Sequence, residues 1–403
     1  MNLYWAIKAL QRQRTVSILI AIEIALTCAI VCNTLFLVGD RVAHVDRESG
    51  VVEDELIRVR VATITTPDDA KGRTAEDLAA LRALPGVKNA VVANIVPFGN
   101  ASWNTAATAS PDDPSPPVEA DEYMGGLELL DTLGTQLVAG RRFEPGELMD
   151  FNKADPTSPP TVIITRALAD RLFPGGAIGR SLYTRAENPM RVVGVVEALA
   201  RPSESGAPET SGYSMILPMR MTYPDGRNYL IRVAPEQRDA VLAKVEDALY
   251  KVDVNRIIVS HEPFAAVRAA YFQQDTAMIY LLIGLSIALL AITTLGLGGL
   301  ASFSVQRRTQ QIGCRRALGA TRSDILRLFQ LENFVLASCG IAVGMLVAYG
   351  LNWLLRELYD VSRLPGYVLP IGAIVVWLVG QLAVLGPALK ASRLSPAIAT
   401  RTV

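Results

Sequence analysis

Four long apolar runs constrain this chain more than any other feature. A helix rising 1.5 Å per residue needs about 20 apolar residues to cross the roughly 30 Å hydrocarbon core of a bilayer. The stretches from about Thr15 to Val38, Thr276 to Leu300, Leu331 to Leu355 and Tyr367 to Leu389 all meet that requirement. The first exceeds the apolar stretch of a secretory signal, and no small-residue cleavage site follows it in LVGDRVAHV, so it reads as an uncleaved anchor. The chain is 50% hydrophobic and 19% charged, too apolar for one soluble domain, yet it leaves a long polar block, 39 to 276, between the first and second runs. The expected fold class is therefore an α-helical membrane protein with four transmembrane helices and an α+β extracytoplasmic domain. Three parts follow: 1 to 38 with the first span, 39 to 276 as the outer domain, and 277 to 403 with the other three spans.

Formal net charge is zero, but the charges are sorted by segment. Residues 39 to 276 carry 34 acidic against 25 basic side chains. The N-terminal stretch 1 to 16 carries Lys8, Arg12 and Arg14 and no acid, the loop 302 to 327 carries six arginines against Asp324, and the tail carries Lys390, Arg393 and Arg401. Basic residues confined to short segments beside apolar runs face the cytoplasm. The expected topology is N-in and C-in, with the acidic block outside.

Inside that block, LIRVRVATI (56 to 64), AEDLAALRALPGV (75 to 87) and NAVVANIVP (89 to 97) alternate as strand, helix and strand. YLIRVA (229 to 234), EQRDAVLAKVEDALYKV (236 to 252) and NRIIVSHEP (255 to 263) repeat the pattern. Two such units pair into a split-βαβ, ferredoxin-like layer. The stretch from about 98 to 228, rich in Pro, Gly and Ser at 110 to 117 and 201 to 212, reads as an inserted β-rich subdomain. Within it, TVIITRALADRLFPGGAIGRSLYTR (161 to 185) and MRVVGVVEAL (190 to 199) read as a strand, a short helix ended by Pro174, Gly175 and Gly176, and two strands.

The chemistry-bearing residues are few. No Walker A loop and no strand-GxGxxG-helix unit occurs in the sequence, so these residues do not hydrolyse ATP by that route. His44 and His261 are the only histidines, and the four cysteines (Cys28, Cys32, Cys314, Cys339) lie outside the outer block, which folds without disulfides and offers no His/Cys metal set. No Ser/His/Asp or Cys/His arrangement can be assembled there, which argues against an enzyme. Cys28 and Cys32, one turn apart, read as packing residues. Glu23 and Glu332 lie within spans and need a helix partner, a subunit interface or the headgroup region. Gly340 and Gly344, followed by Ala348, give the third span a small-residue face for close helix contact, within the chain or between subunits.

The most specific stretch is RRTQQIGCRRALGATRSDIL (307 to 326). It reads as a basic helix continuing from the second span to Leu318, closed by Gly319 as a C-cap, then a restart in which Thr321 caps and Asp324 sits three residues on. A helix, a corner and a helix make a rigid elbow. The motif Ile312-Gly313 followed by Arg316-Ala317-Leu318-Gly319-Ala320, with Glu332 inside the next helix, resembles the signature of FtsX-like permeases. Gln311 stands where that family usually has Glu. ALADRLFPGGAIGRSL with RVVGVVEAL is similar to the periplasmic core domain of MacB-type permeases, and Pro387, Ala388, Ala391, Pro396, Ala399 and Arg401 fit the family's closing motif.

That resemblance implies a permease subunit of an ABC transporter of the MacB-like mechanotransmission type. It carries no cofactor of its own, since ATP and Mg²⁺ belong to a separate ATPase dimer that grips the elbow, with Gln311, Ile312, Gly313, Arg315, Arg316, Ala317, Leu318, Gly319 and Ala320 as the coupling residues. The start of the sequence just before the first span places that ATPase, as an expectation, on another chain. A second permease, identical or related, completes the membrane part, with Glu23, Gly340 and Gly344 as candidate interface residues. The implied setting is the bacterial inner membrane with its lipids, where a periplasmic adaptor and an outer-membrane channel complete the path and the insert contacts partner or cargo. Nucleic acid is not an expected partner. The expected work is export of small toxic compounds or peptides, the alternatives being lipoprotein release and a non-transporting signal relay to a periplasmic partner.

Overall fold

The structure, a computed structural model, describes residues 14–64, 69–112, 116–153, 157–184, 189–203, 210–359 and 364–393. Lys8 and Arg12 of the N-terminal basic segment, and Pro396, Ala399 and Arg401 of the closing motif, lie outside the described residues, as do parts of the two Pro/Gly/Ser-rich stretches. The chain divides into an α/β unit, Arg47–Gln273, and a helical unit made of Met1–Asp46 and Gln274–Val403.

Helix α1 (Arg14–Val45) opens the helical unit. The α/β unit then starts with β1 (Leu56–Thr63), α2 (Ala70–Arg82) and β2 (Val87–Ala93). Asp69 caps α2, its side chain accepting from the Gly72 amide at 2.8 Å. The insert supplies β3 (Asn104–Ala107), β4 (Val118–Met124), α3 (Leu129–Leu133), β5 (Leu137–Gly140), β6 (Met149–Asp150), β7 (Thr161–Thr165), α4 (Arg166–Leu172), β8 (Ser181–Leu182), β9 (Met190–Val196), β10 (Ser214–Leu217) and β11 (Met219–Arg220). After α5 (Tyr223–Gly226) come β12 (Asn228–Val233), α6 (Arg238–Val252), β13 (Arg256–Pro263) and α7 (Phe264–Tyr271).

The ferredoxin-like layer forms as the sequence pattern predicts. Its four strands run in the order β13-β1-β12-β2, every neighbour antiparallel, with Leu56 opposite Arg232 and Ile57 opposite both Ile231 and Pro263. That order is the split-βαβ arrangement. Helices α2 and α6 bury Leu81, Val241, Val245 and Leu249 in the same core as Ile57, Val59, Tyr229 and Ile231. Within this layer, Arg256 Nη1 donates to Asp77 Oδ2 at 2.7 Å, Tyr229 donates its hydroxyl to the same carboxylate, and both charged side chains are fully buried.

The insert is a mixed sheet ordered β3-β4-β10-β7-β9-β5, with β8 on β9 and a separate β6-β11 pair. Its Asp121 and Arg201 form a second buried ion pair. The insert begins at Phe98, whose φ of 60° is rarely adopted by a side chain of that size. Its ring is enclosed by Phe272 at 5.1 Å and Tyr271 at 5.4 Å between centroids, with the guanidinium carbons of Arg47 and Arg268 each 5.1 Å from the ring centre. Arg268 also pairs with Glu53 and donates to the Arg47 carbonyl at 2.7 Å.

The helical unit continues with α8 (Gln273–Arg307), α9 (Thr309–Ala317), α10 (Arg322–Tyr359) and α11 (Val368–Ser392). The four longest helices are apolar and long enough to span a membrane. Ile24, Cys28, Cys32, Ala337, Ile341, Ala348 and Val376 form their shared core. Cys28 and Cys32 are buried with their Sγ atoms 3.9 Å apart, within that packing. Polar groups are paired across helices: Thr27 with Thr293 at 2.8 Å, Asn33 donating to the Ala348 carbonyl at 3.2 Å, and Asn333 to the Gly380 carbonyl at 3.0 Å. In contrast, α8 has only 6% of its apolar window covered by the rest of the chain, against 39% for α1.

Candidate functional site

The elbow between the second and third spans departs from the expected single helix. The second span does not continue to Leu318; it ends at Arg307 and a new helix starts at Thr309. Arg308, with φ of −103° and ψ of 10°, forms the break. Two side chains act at the break. The Thr309 hydroxyl bonds back to the Val305 and Gln306 carbonyls at 3.2 and 2.8 Å, a local contact that competes with regular helix bonding. The Arg308 guanidinium reaches Glu332 on α10 with Nη1 at 3.0 and 2.8 Å from the two carboxylate oxygens. Glu332 is buried, so the pair supplies the partner that an acid in a span requires.

The other end of α9 follows the sequence reading. Gly319 has φ of 99°, its amide bonds the Arg316 carbonyl at 3.2 Å, and the Ala320 amide bonds the Arg315 carbonyl at 3.0 Å. This is a Schellman cap, which needs a left-handed residue where glycine carries no Cβ penalty. Thr321 and Asp324 then form the reciprocal cap that starts α10: the Asp324 amide donates to Thr321 Oγ1 at 3.2 Å and the Thr321 amide to Asp324 Oδ2 at 3.0 Å.

The short helix between these caps is two-faced. Ile312 and Gly313 are buried, Ile312 against Val305, Ile325, Phe329, Val384, Ala388 and Ala391. Arg316 Nη1 donates to the Ser392 carbonyl at 3.2 Å, tying α9 to the end of α11. Gln311, Cys314, Arg315 and Leu318 lie three or four residues apart on the opposite face, and all four are exposed, as are Ala317 and Gly319, while Ala320 is half-buried. Leu318 is 89% exposed. The geometry presents a leucine flanked by arginine on a rigid, triply anchored mount. Arg308 had no signal in the local motif; only its buried partner, Glu332 on the following helix, gives it a role.

The second group of candidate residues is placed inside the chain. A Cβ built on Gly340 would lie 2.9 Å from the Ala21 carbonyl oxygen, and one on Gly344 would lie 2.6 Å from the Ala25 carbonyl oxygen, so both glycines let α10 touch α1 directly. Glu23 is half-buried and faces Gly296 of α8, where a Cβ would meet its Oε1 at 2.4 Å. Among the described residues no group of three or more His, Cys, Asp and Glu side chains is placed to hold a metal ion.

Comparison with known proteins agrees with this arrangement. Residues 17–248 match the MacB-like periplasmic core domain family and residues 283–396 the FtsX-like permease C-terminal family. The chain is 27% identical over 297 residues to the macrolide export ATP-binding/permease protein MacB of Rhodopseudomonas palustris (strain BisB18), covering 70% of this chain and 43% of that one. It is 26% identical over 343 residues to the uncharacterized ABC transporter permease YknZ of Bacillus subtilis (strain 168), covering 81% of this chain and 79% of that one. Among solved structures, the periplasmic region of MacB from Actinobacillus actinomycetemcomitans covers 55% of this chain and 94% of its own at 11% identity, with a TM-score of 0.34. The chain spans about two fifths of the length of the MacB relatives it matches. With the core-domain match extending over more than half of its residues and the permease match taking in the elbow and the last two spans, the chain belongs to the MacB/FtsX-type ABC transporter permeases.

Proposed function

We propose that this chain is the membrane-embedded coupling half of an exporter. A separate ATPase dimer docks on the exposed face of α9, closes on ATP, and drives the periplasmic domain through the first and second spans. The observation that carries this reading is Leu318, 89% exposed at the tip of a helix whose other face is buried. An isolated exposed leucine needs no explanation on a surface. One held by a Schellman cap, an ion pair at the opposite end and a bond to α11 is a preformed anchor, of the kind that concentrates binding energy at an interface. ATP and Mg²⁺ are bound by the ATPase. Two permeases, identical or related, form the membrane part in a bacterial inner membrane with both termini of this chain cytoplasmic.

The cargo class is small toxic compounds or peptides, handed from the periplasmic domain to an adaptor and an outer-membrane channel. This assignment draws on the macrolide-export relatives and on the insert, which supplies the domain's second sheet.

The coupling claim is tested by purifying the complex with its ATPase and replacing Leu318 with Asp and, separately, Arg315 with Glu. The expected result is loss of permease-stimulated ATP hydrolysis by tenfold or more, with thermal unfolding of the chain unchanged. Undiminished stimulation in both variants would remove α9 from the coupling path. Co-purification with a cell-wall hydrolase or a lipoprotein chaperone, in place of an adaptor, would overturn export as the outcome of coupling.

A further inference from the structure

The inserted sheet carries a pocket of about 360 Å³ that the coupling mechanism does not use. Its volume lies in the range that accommodates small organic molecules. One wall is the face of β4 bearing Glu122 and Met124, continued by Leu217 and Met219, and the aromatic pair Trp103 and Phe151 closes it. Those two rings meet edge to face at 5.6 Å between centroids, and Trp103 is 37% exposed. Among the described residues lining the pocket, Glu122 is the only ionisable one; none is basic.

A half-buried carboxylate facing thioethers and aromatic rings, with only a few hydroxyls nearby, is a costly arrangement unless something positive joins it. Elsewhere in the domain, buried acids are paired: Asp77 with Arg256 and, on the opposite face of the same strand as Glu122, Asp121 with Arg201. Glu122 has no such cation among the described residues. Asp121 worsens its position, since that charge lies next along the chain. Burial, with the Asp121 charge adding to it, pushes the Glu122 carboxyl up to about 7, and only a Trp103 hydrogen bond to the side chain pulls the other way.

We propose that this pocket binds a lipophilic organic cation, its positive centre facing the Glu122 carboxylate and its apolar body lying against Trp103, Phe151 and the two methionines. The chemistry excludes the other classes. An anion would face a carboxylate that has no cation beside it among the described residues. A small hydrated metal ion would find a single carboxylate, with the hydroxyls of Thr105, Thr157, Ser158 and Thr184 beside it, where such an ion takes six or more oxygen ligands and several carboxylates. A cation carrying hydrocarbon gains from the carboxylate, from the ring faces and from the adaptable thioether wall together. The proposal rests on the export reading for its biological sense, because it names the cargo class, but the site itself is read without ATP or any partner.

The test uses the full chain in nanodiscs of zwitterionic lipid, with tetraphenylphosphonium as a permanently charged probe whose own charge does not change with pH. Equilibrium binding should show one saturable site that E122Q weakens about tenfold and W103A weakens severalfold. Affinity should rise as pH passes upward through about 7, because the carboxylate that attracts the probe is formed there. Neutral triphenylphosphine oxide should fail to compete. Equal affinity in wild type and E122Q, or competition by the neutral compound as strong as by the cation, would overturn the proposal. Should E122Q fail to fold, the competition and the pH profile of the wild type decide the matter. A negative result here leaves ATPase coupling through Leu318 intact, and loss of that coupling claim leaves this binding measurement valid.

Discussion

The α/β unit and the helical unit solve the same problem, the fixing of one arrangement of elements, by opposite means. The α/β unit folds against water, so its apolar core assembles readily, and buried ion pairs such as Asp77–Arg256 and Asp121–Arg201 add directional contacts between elements. The helical unit lies among lipid tails as apolar as its own side chains, where burying hydrocarbon gives little preference for one neighbour over another. It relies on removing side chains: Gly340, Gly344 and Gly372 bring backbones or Cys32 into contact distances a Cβ would forbid. Specificity comes from buried charge pairs in one region and, beside a few polar pairs such as Thr27–Thr293 and Arg308–Glu332, from absent atoms in the other.

Breaking the first device should have the largest effect. D77A strands the Arg256 charge in the core and should cost about 3–5 kcal/mol, measured by denaturant unfolding of the α/β unit's signal in the full chain. A cost below about 1 kcal/mol would mean the pair is decoration. G344V attacks the second device. Its Cβ would strike the Ala25 carbonyl oxygen, and overpacking of this kind costs about 1–3 kcal/mol. On the same helix, a Cβ at Gly350 would meet nothing within 4 Å, so G350A should be neutral or gain up to about 1 kcal/mol from helix propensity. If G344V and G350A behave alike, close approach is not what holds α1.

E122Q sharpens the contrast further, because Glu122, unlike the buried Asp77 and Asp121, has no cation paired with it among the described residues. Its folded pKa of about 7 lies above the ordinary carboxylate value, so the folded state holds the proton more tightly than the unfolded one. Stability from this group is complete at pH below about 4.5 and is lost as pH rises through about 7. E122Q should therefore raise the unfolding temperature at pH 8, by the equivalent of about 1–2 kcal/mol, and change it little at pH 4. The smallest stability effect belongs to L318D. An exposed site should shift stability by less than about 0.5 kcal/mol even as coupling is lost.

How much of this was legible in the sequence depends on how far apart the determining residues lie. The spans, the ferredoxin-like layer and both caps of the elbow rest on patterns within one element or one turn, and all appear in the structure, the span helices running up to nine residues beyond the apolar runs. The α2 helix starts at Ala70, ahead of the apolar pattern that begins at Ala75, because Asp69 caps it from outside that pattern. The break at Arg308 was not legible, because the run RRTQQIGCRRA alone has continuous helix propensity and, beside the local Thr309 contact, the residue's partner is Glu332 on a different helix. Gly340 and Gly344 announced a close contact but not which helix would fill it. Glu122 was silent for a related reason: in EADEYM it is one acid among three, and only the strand alternation and the rings of Trp103 and Phe151 make it different.

The ring stack around Phe98 has a mechanical consequence. The first residue of the α/β unit, Arg47, and one of its last, Phe272, close on the same aromatic ring, and that ring is the residue from which the insert departs. The two legs of the domain are thus clasped at the root, so a pull along either one cannot peel the domain from that end without first opening the clasp.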